Sequence, residues 1–212
     1  MPRIDSREYR NMEIRAEQRE DTDAAKIVTG YASTFDEPYT LYESDKYIFQ
    51  EVVDKNAFDN TDMSDVIMQY DHEGRVFARQ SNNTLEVQPD EKGLFIKADL
   101  GGTELGRQLY DEIRGGYTDK MSFGFTVDQD DWLDTKAEDG RDLTVRTIKS
   151  IRKLYDVSAV SIPANDATSI SVRSLVNGEI ERLQAERLAA EELQLKRRRA
   201  EIRAKALRGD AK

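Results

Sequence analysis

The chain has 212 residues, 35% charged and 38% hydrophobic, with a formal net charge of −10. That length is enough for one medium domain with a real core plus an appendage, and the composition suggests a globular part joined to a polar helical part. The acidic balance argues against a general nucleic-acid binder, and the absence of cysteine excludes disulfides, thiol catalysis and thiolate metal sites.

The opening residues MPRIDSREYR lack the apolar core of a signal peptide and no apolar run is long enough to span a bilayer, so the expectation is a soluble protein of the cytosol. From Arg10 to Gln18, Met12, Ile14 and Ala16 alternate with polar residues and predict a strand. Lys26–Phe35 predicts a second, with Gly30 as a bulge position. Tyr39–Asp45 reads as an irregular loop, Lys46–Val53 as a third strand, and Asp54–Asn60 as one helical turn with Ala57 and Phe58 turned inward. Asp65–Tyr70 is a short apolar strand. Thr84–Gln88 and Leu94–Leu100 flank a Pro-Asp-Glu-Lys-Gly turn and predict a hairpin.

Thr103 caps a predicted helix from Glu104 to Arg114, with Leu105, Leu109 and Ile113 on one face and Gly115 and Gly116 as its stop. Lys120–Val127 is a strand, Asp128–Asp142 an acidic loop holding Trp132, and Leu143–Ser150 and Ile151–Ile162 two more strands. Ala164–Ser174 reads as a loop with the short strand ISVRS. Beyond Gly178 the composition turns to Glu, Arg, Ala, Leu and Lys, which predicts one long charged helix with an imperfect heptad pattern. The fold class is therefore mainly β with a few helices (α+β). Residues 8–174 form an antiparallel barrel-like or sandwich domain, followed by a helical tail over 175–212.

The stretch Gly115–Phe125 (GGYTDKMSFGF) organises the rest. Met121, Phe123 and Phe125 share one face of its strand, and Ser122, Gly124 and Thr126 share the other. A serine followed two residues later by glycine predicts an open patch where a substrate backbone comes close. The plain alternative is a small residue packed under a neighbour. A nucleophilic serine requires a base and a group to orient that base. The only histidine is His72, so any imidazole chemistry has one candidate and a site of several imidazoles is excluded. His72 lies between Asp71 and Glu73 at a strand end, a usual place for chemistry; an ordinary surface histidine is the alternative. The orienting candidate is Asp156, sharing a strand face with Leu154, Ser158 and Val160. A carboxylate there is costly unless paired, although an aspartate in water at a strand edge fits the same pattern.

Asp128, Asp130, Asp131 and Asp134 lack the glycine and distal glutamate of a calcium loop and read as a solvated hairpin tip. Gly101-Gly102 resembles an anion-cradling turn but lacks the Gly-Lys-Ser signature. Lys196-Arg197-Arg198-Arg199 is a basic cluster, either a solvated helix face or a contact for an acidic partner. Neither a cofactor nor a metal is expected.

Four stretches, in order, carry a family resemblance: GYASTFDE at Gly30–Glu37, YDHE at Tyr70–Glu73, Leu105-Gly106-Arg107 through MSFGF at Phe125, and LYDVSAVSIPAN at Leu154–Asn165. Over roughly Met12 to Ser174 the chain resembles the prohead (capsid maturation) serine protease family of tailed bacteriophages, distantly similar to the herpesvirus assemblin proteases. The resemblance implies Ser122 as nucleophile and His72 as base. Asp156 stands where the family commonly has a glutamate, and Asp71 where it tends to have an asparagine, so either carboxylate is a candidate to orient His72. Backbone N–H groups in the loop Pro163–Asp166 (Pro163 itself has none) or near Gly101-Gly102 are the candidate oxyanion donors.

The implied activity is that of a serine endopeptidase cleaving scaffold segments of the major capsid protein, and itself, inside the assembling prohead in the host cytoplasm. The tail would be a targeting or self-cleaved segment. The expected partners are the capsid protein or its scaffold segment, the chain itself and further copies in a homo-oligomer, with no membrane and no nucleic acid required. The alternative is a non-enzymatic capsid assembly scaffold or adaptor whose serine is merely structural.

Overall fold

The computed structural model describes residues 7–16, 26–161 and 170–209. In chain order the strands are β1 (Glu8–Ala16), β2 (Ile27–Thr34), β3 (Tyr39–Glu43), β4 (Tyr47–Val53), β5 (Ile67–Tyr70), β6 (Glu73–Arg79), β7 (Leu85–Pro89), β8 (Gly93–Asp99), β9 (Lys120–Lys136) and β10 (Asp142–Val160). Helix α1 (Glu104–Arg114) precedes β9, and α2 (Ile170–Gly209) follows β10.

Strand β10 is the axis. Its sequence DLTVRTIKSIRKLYDVSAV is rich in β-branched and apolar residues, alternating with polar ones for most of its length, which suits a strand with two different faces. It pairs antiparallel with β9 throughout, parallel with β4 over Asp142–Ile148, and parallel with β5 over Asp156–Ala159. The sheet order is β3-β4-β10-β9-β1-β2-β8-β7, with β5 on β10 and β6 on β5. The mainly β, α+β class therefore holds. The sheet is mixed, because β4 and β5 both join β10 in parallel, and it does not close into a barrel.

Several local expectations change. Tyr39–Glu43 is a strand paired with β4 rather than a loop, and β6 appears where no strand was expected. The acidic stretch after Val127 is no loop. It continues β9 to Lys136, and the two expected strands after it are the single strand β10. Its carboxylates face basic and hydroxyl partners across the ladder: Asp130 accepts from Arg146 at 2.8 Å and Asp134 from Thr144 at 2.8 Å. Cross-strand pairing of this kind stabilises a long polar arm that composition alone reads as a solvated tip. In β2 the irregularity falls between Tyr31 and Ser33 rather than at Gly30.

Met121, Phe123 and Phe125 project from β9 into the hydrophobic core, with the rings of Phe123 and Phe125 stacked 4.7 Å apart. Helix α1 begins as expected, the Thr103 hydroxyl accepting from the Gly106 N–H at 3.0 Å. Its buried face is Gly106, Leu109, Tyr110 and Ile113, while Leu105 is 38% exposed. Leu109 and Ile113 thus face the core as expected, with Gly106 and Tyr110 beside them in place of Leu105, on the spacing that a core-facing stripe requires.

The chain divides into two compact units between Arg173 and Ser174. The second is formed by the greater part of α2, whose ISVRS start is helical rather than extended. Pairs one turn apart, Arg182–Glu186 at 2.6 Å and Lys196–Glu192 at 2.7 Å, run along it. Lys196–Arg199 are exposed, as are Leu188, Leu193 and Leu195. Among the described residues no helix is long and apolar enough to cross a membrane.

A buried ionic network ties β1, β4, β9 and β10 together. Arg10 donates to both oxygens of Glu51 at 2.7 Å and to Glu8 at 2.7 Å. Arg146 donates to Glu8 at 2.7 and 3.0 Å, to Glu51 at 2.9 Å and to Asp130 at 2.8 Å. The Tyr39 hydroxyl also bonds Glu51. Burial raises the Glu8 carboxyl, but Arg10 and Arg146 beside it outweigh that and leave it below its ordinary 4.5. Burial likewise opposes the charge on Arg10 and Arg146, and the surrounding carboxylates hold both guanidinium groups more firmly protonated than usual.

Candidate active site

His72 is placed by the shortest possible hairpin. Tyr70 pairs with Glu73, so Asp71 and His72 alone join β5 to β6. Their φ angles are 50° and 61°, the left-handed pair of a type I′ turn, a position that normally selects Asn and Gly. Holding a histidine there costs about 1–2 kcal/mol. Asp71 pins the turn in place. Its N–H donates to the Ala159 carbonyl at 2.9 Å, and its carboxylate accepts from the Ser161 N–H at 2.8 Å and the Ser161 hydroxyl at 2.7 Å. Asp71 therefore serves the backbone of the turn.

The imidazole is held by Asp156. Nδ1–H of His72 donates to Oδ1 of Asp156 across 2.5 Å, and Asp156 is 1% exposed. The Ser158 hydroxyl donates to the same oxygen at 2.7 Å, and Arg7 reaches Oδ2 at 3.5 Å. With Nδ1 committed as donor, Nε2 is the accepting nitrogen of the ring. A β-bulge aims Asp156. Leu154 faces Phe125, but after a register shift Asp156 faces Gly124, Val157 faces Phe123 and Ser158 faces Ser122. The strict alternation that puts Leu154 on the face of Asp156 and Ser158 is thus broken. Leu154 joins Val157 in the core, and Asp156 moves to the Ser122 side.

Ser122 is opposite Ser158 in the ladder, so it, Asp156 and the His72 imidazole share one side of the sheet. Its Oγ is buried and has no hydrogen-bond partner among the described residues, nor has the Thr126 Oγ1 on the same face. Ser122 and His72 are consequently not hydrogen-bonded to each other in this state. An orphaned buried hydroxyl is rare in folded proteins and costs about 1–3 kcal/mol.

The patch expected over Gly124 is not open. A Cβ at Gly124 would come within 2.5 Å of Asp156 Oδ2, 2.9 Å of the Tyr9 ring and 3.2 Å of the Arg7 side chain. Tyr9 faces Gly124 across the β1–β9 ladder, and its ring lies 4.2 Å from that of His72. The Arg7 guanidinium lies 3.8 Å over the Tyr155 ring. Ser158, Tyr9 and Arg7 were not singled out from sequence. Ser158 had a signal in its alternation with Asp156, whereas Tyr9 and Arg7 depend on a strand register that no local pattern fixes.

The two guesses at oxyanion donors part ways. The Gly101 N–H is taken by Asp99 Oδ1 at 2.8 Å, which removes it as an anion donor; residues 163–166 lie outside the described residues. Among the described residues no three histidine or acidic side chains are grouped to hold a metal ion.

Residues 10–182 match a protein family described as caudovirus prohead serine protease. The chain is also similar to the prohead protease of Enterobacteria phage HK97, 29% identical over 153 residues. That match covers 72% of this chain and 62% of the relative, so the chain spans less than two thirds of the relative's length. No solved structure gives a significant match.

Proposed function

The chain belongs to the caudovirus prohead serine protease family, and from that premise we propose that it is a serine endopeptidase of capsid maturation, with Ser122 as nucleophile, His72 as base and Asp156 as the group that orients His72. The observation that carries this is the His72–Asp156 pair on the same side of the sheet as an unpartnered buried serine hydroxyl. Both the left-handed histidine and the orphaned hydroxyl are unfavourable to the fold, and costs of this kind collect where a site needs them.

Ser122 Oγ attacks the carbonyl carbon of the scissile peptide bond while Nε2 of His72 takes its proton. Asp156 holds the tautomer with Nδ1 protonated and stabilises the imidazolium. That imidazolium gives its proton to the departing amine, leaving an acyl-serine. Water, deprotonated by the same imidazole, then releases the acid and restores Ser122. The Ser122–His72 hydrogen bond forms as substrate binds, a tightening common in sites seen empty.

The substrates follow from the family and from the relative's name: the capsid protein or its scaffold segment within the assembling prohead, and the chain itself. The protease domain is residues 8–174. The tail over 175–212, with its dense i,i+4 ion pairing and exposed basic cluster, is the targeting or self-cleaved segment. The test is incubation of purified chain with capsid precursor, new termini being mapped by mass spectrometry. Ser122→Ala should lower cleavage by about 10³-fold or more. Cleavage persisting within tenfold would remove Ser122 from the nucleophile's role.

A further inference from the structure

The space a substrate needs beside Ser122 is filled by the chain's own first described residues. Strand β9 is paired on both edges around Ser122, by β1 across Glu8–Glu13 and by β10 across Asp156–Val160. A peptide cannot add to β9 as a further strand, so it must approach from the face of the sheet that carries Ser122. On that side Tyr9 lies against His72 and over Gly124, and Arg7 lies over Tyr155 with a contact to Asp156. Ser122, two residues from Gly124 on the same face, is 1% exposed.

Resting on the reading of Ser122 as nucleophile, we propose that Arg7 and Tyr9 form an autoinhibitory plug, closing the substrate face of the site until they swing away. The hinge is defined by what anchors the strand behind them. Arg10 is locked in the buried network and Ile14 lies in the core, so β1 itself stays in the sheet. The plug residues are held more loosely. Arg7 is 37% exposed, and its ion pair to Asp156 is long at 3.5 Å, the kind of contact that contributes little. Tyr9 is half-buried, with its ring against the imidazole rather than locked in the core. Moving two side chains therefore uncovers Gly124 and the His72–Asp156 pair beside Ser122 without unfolding a strand. The incoming peptide displaces the plug, and the observed reactivity of Ser122 is its intrinsic value scaled by the open fraction.

The experiment follows labelling of Ser122 in the full chain by a fluorophosphonate, which bonds to an activated serine oxygen with loss of fluoride, using intact-mass spectrometry. Capsid-precursor cleavage is followed in parallel. With an open state populated at about 10% or less, Tyr9→Ala should label about tenfold or more faster than the wild type, and Arg7→Ala should label faster by a smaller factor. Tyr9→Leu keeps an apolar side chain in the ladder without a ring over His72, and should also label faster; it covers the case in which Tyr9→Ala does not fold. Tyr9→Phe keeps the ring and should match the wild type. If folded Tyr9→Leu and Arg7→Ala label no faster while the wild type cleaves precursor in a Ser122-dependent way, the plug is refuted and the nucleophile stands. If no variant is labelled at Ser122 and none cleaves, the nucleophile falls and the plug with it.

Discussion

Replacing Asp156 by asparagine separates orientation from everything else the residue does. The substitution keeps the size and planar shape of the side chain but replaces one carboxylate oxygen by NH₂. The position at issue is Oδ1, which faces both Nδ1 of His72 across 2.5 Å and the Ser158 hydroxyl at 2.7 Å. If the amide turns its NH₂ to that nitrogen, Nδ1 must accept, the proton moves to Nε2, and the imidazole can no longer take the Ser122 proton. If it turns its oxygen there, the contacts of His72 and Ser158 persist but the NH₂ faces the Arg7 guanidinium and the imidazolium loses its counter-charge. Either way the transition state is penalised more than the ground state. Converting an orienting carboxylate to an amide costs about 10⁴-fold in kcat, about 5 kcal/mol of barrier. The assay is single-turnover cleavage of capsid precursor by Asp156→Asn, with thermal melting alongside to show that the fold survives. A variant that folds and retains kcat within tenfold of the wild type would refute the assignment and return the third role to another group.

Other expected outcomes rest on other parts of the structure. Asp71→Ala removes both contacts to Ser161 and leaves alanine at positive φ, so it should destabilise by about 1–3 kcal/mol and lower kcat although it touches no reacting atom; thermal melting and cleavage kinetics read both. Arg10→Met takes from buried Glu51, which is 0% exposed, one of its two guanidinium partners and leaves it Arg146 and the Tyr39 hydroxyl. It should cost about 3–5 kcal/mol, a fall in Tm of about 6–20 °C, and the double variant Arg10→Met/Glu51→Met should recover most of it. A loss under about 1 kcal/mol would mean that the network holds no more than a surface pair does. Because the Glu8 carboxyl lies below 4.5 in the folded chain, its contribution to stability is complete above that pH and is lost as pH falls through the folded value. Tm should therefore drop below about pH 4.5, and Glu8→Gln, less stable at neutral pH, should show a shallower drop.

The residues proposed to carry the chemistry stand out in the sequence because each breaks a local rule. Ser122 and Gly124 stood small among Met121, Phe123 and Phe125, Asp156 stood charged in an apolar run, and His72 was the only imidazole. Their geometry was less so. A bulge between Leu154 and Asp156 decides which face Asp156 joins, and strict alternation cannot register one extra residue. The choice between Asp71 and Asp156 was open until the hairpin turn sent the Asp71 carboxylate to Ser161. The ion network was invisible because its charges come from four strands far apart in the chain. The acidic run after Val127 reads as a loop because its partners lie on β10, beyond a turn whose mark, the Asp139-Gly140 pair with Gly140 at φ 88°, comes only after the whole run.

Ser122→Ala tests the same argument from the side of stability. A hydroxyl kept buried without a partner is a cost to the folded state, and the neighbouring left-handed histidine is another. If that cost is borne for catalysis, deleting one oxygen atom should stabilise the fold while abolishing cleavage, because alanine fills the same place without a polar atom to desolvate. Relief of about 1–3 kcal/mol corresponds to a rise in Tm of about 2–12 °C for a chain of this size. The lower end is expected, since the lost oxygen leaves a small void. Calorimetry on wild type and variant at the same pH reads it directly. A lower Tm in Ser122→Ala would mean that the hydroxyl is satisfied in solution, by Nε2 of His72 or by water, and that the closed state is not the resting one. A raised Tm with no cleavage is what a fold strained by its own chemistry should give.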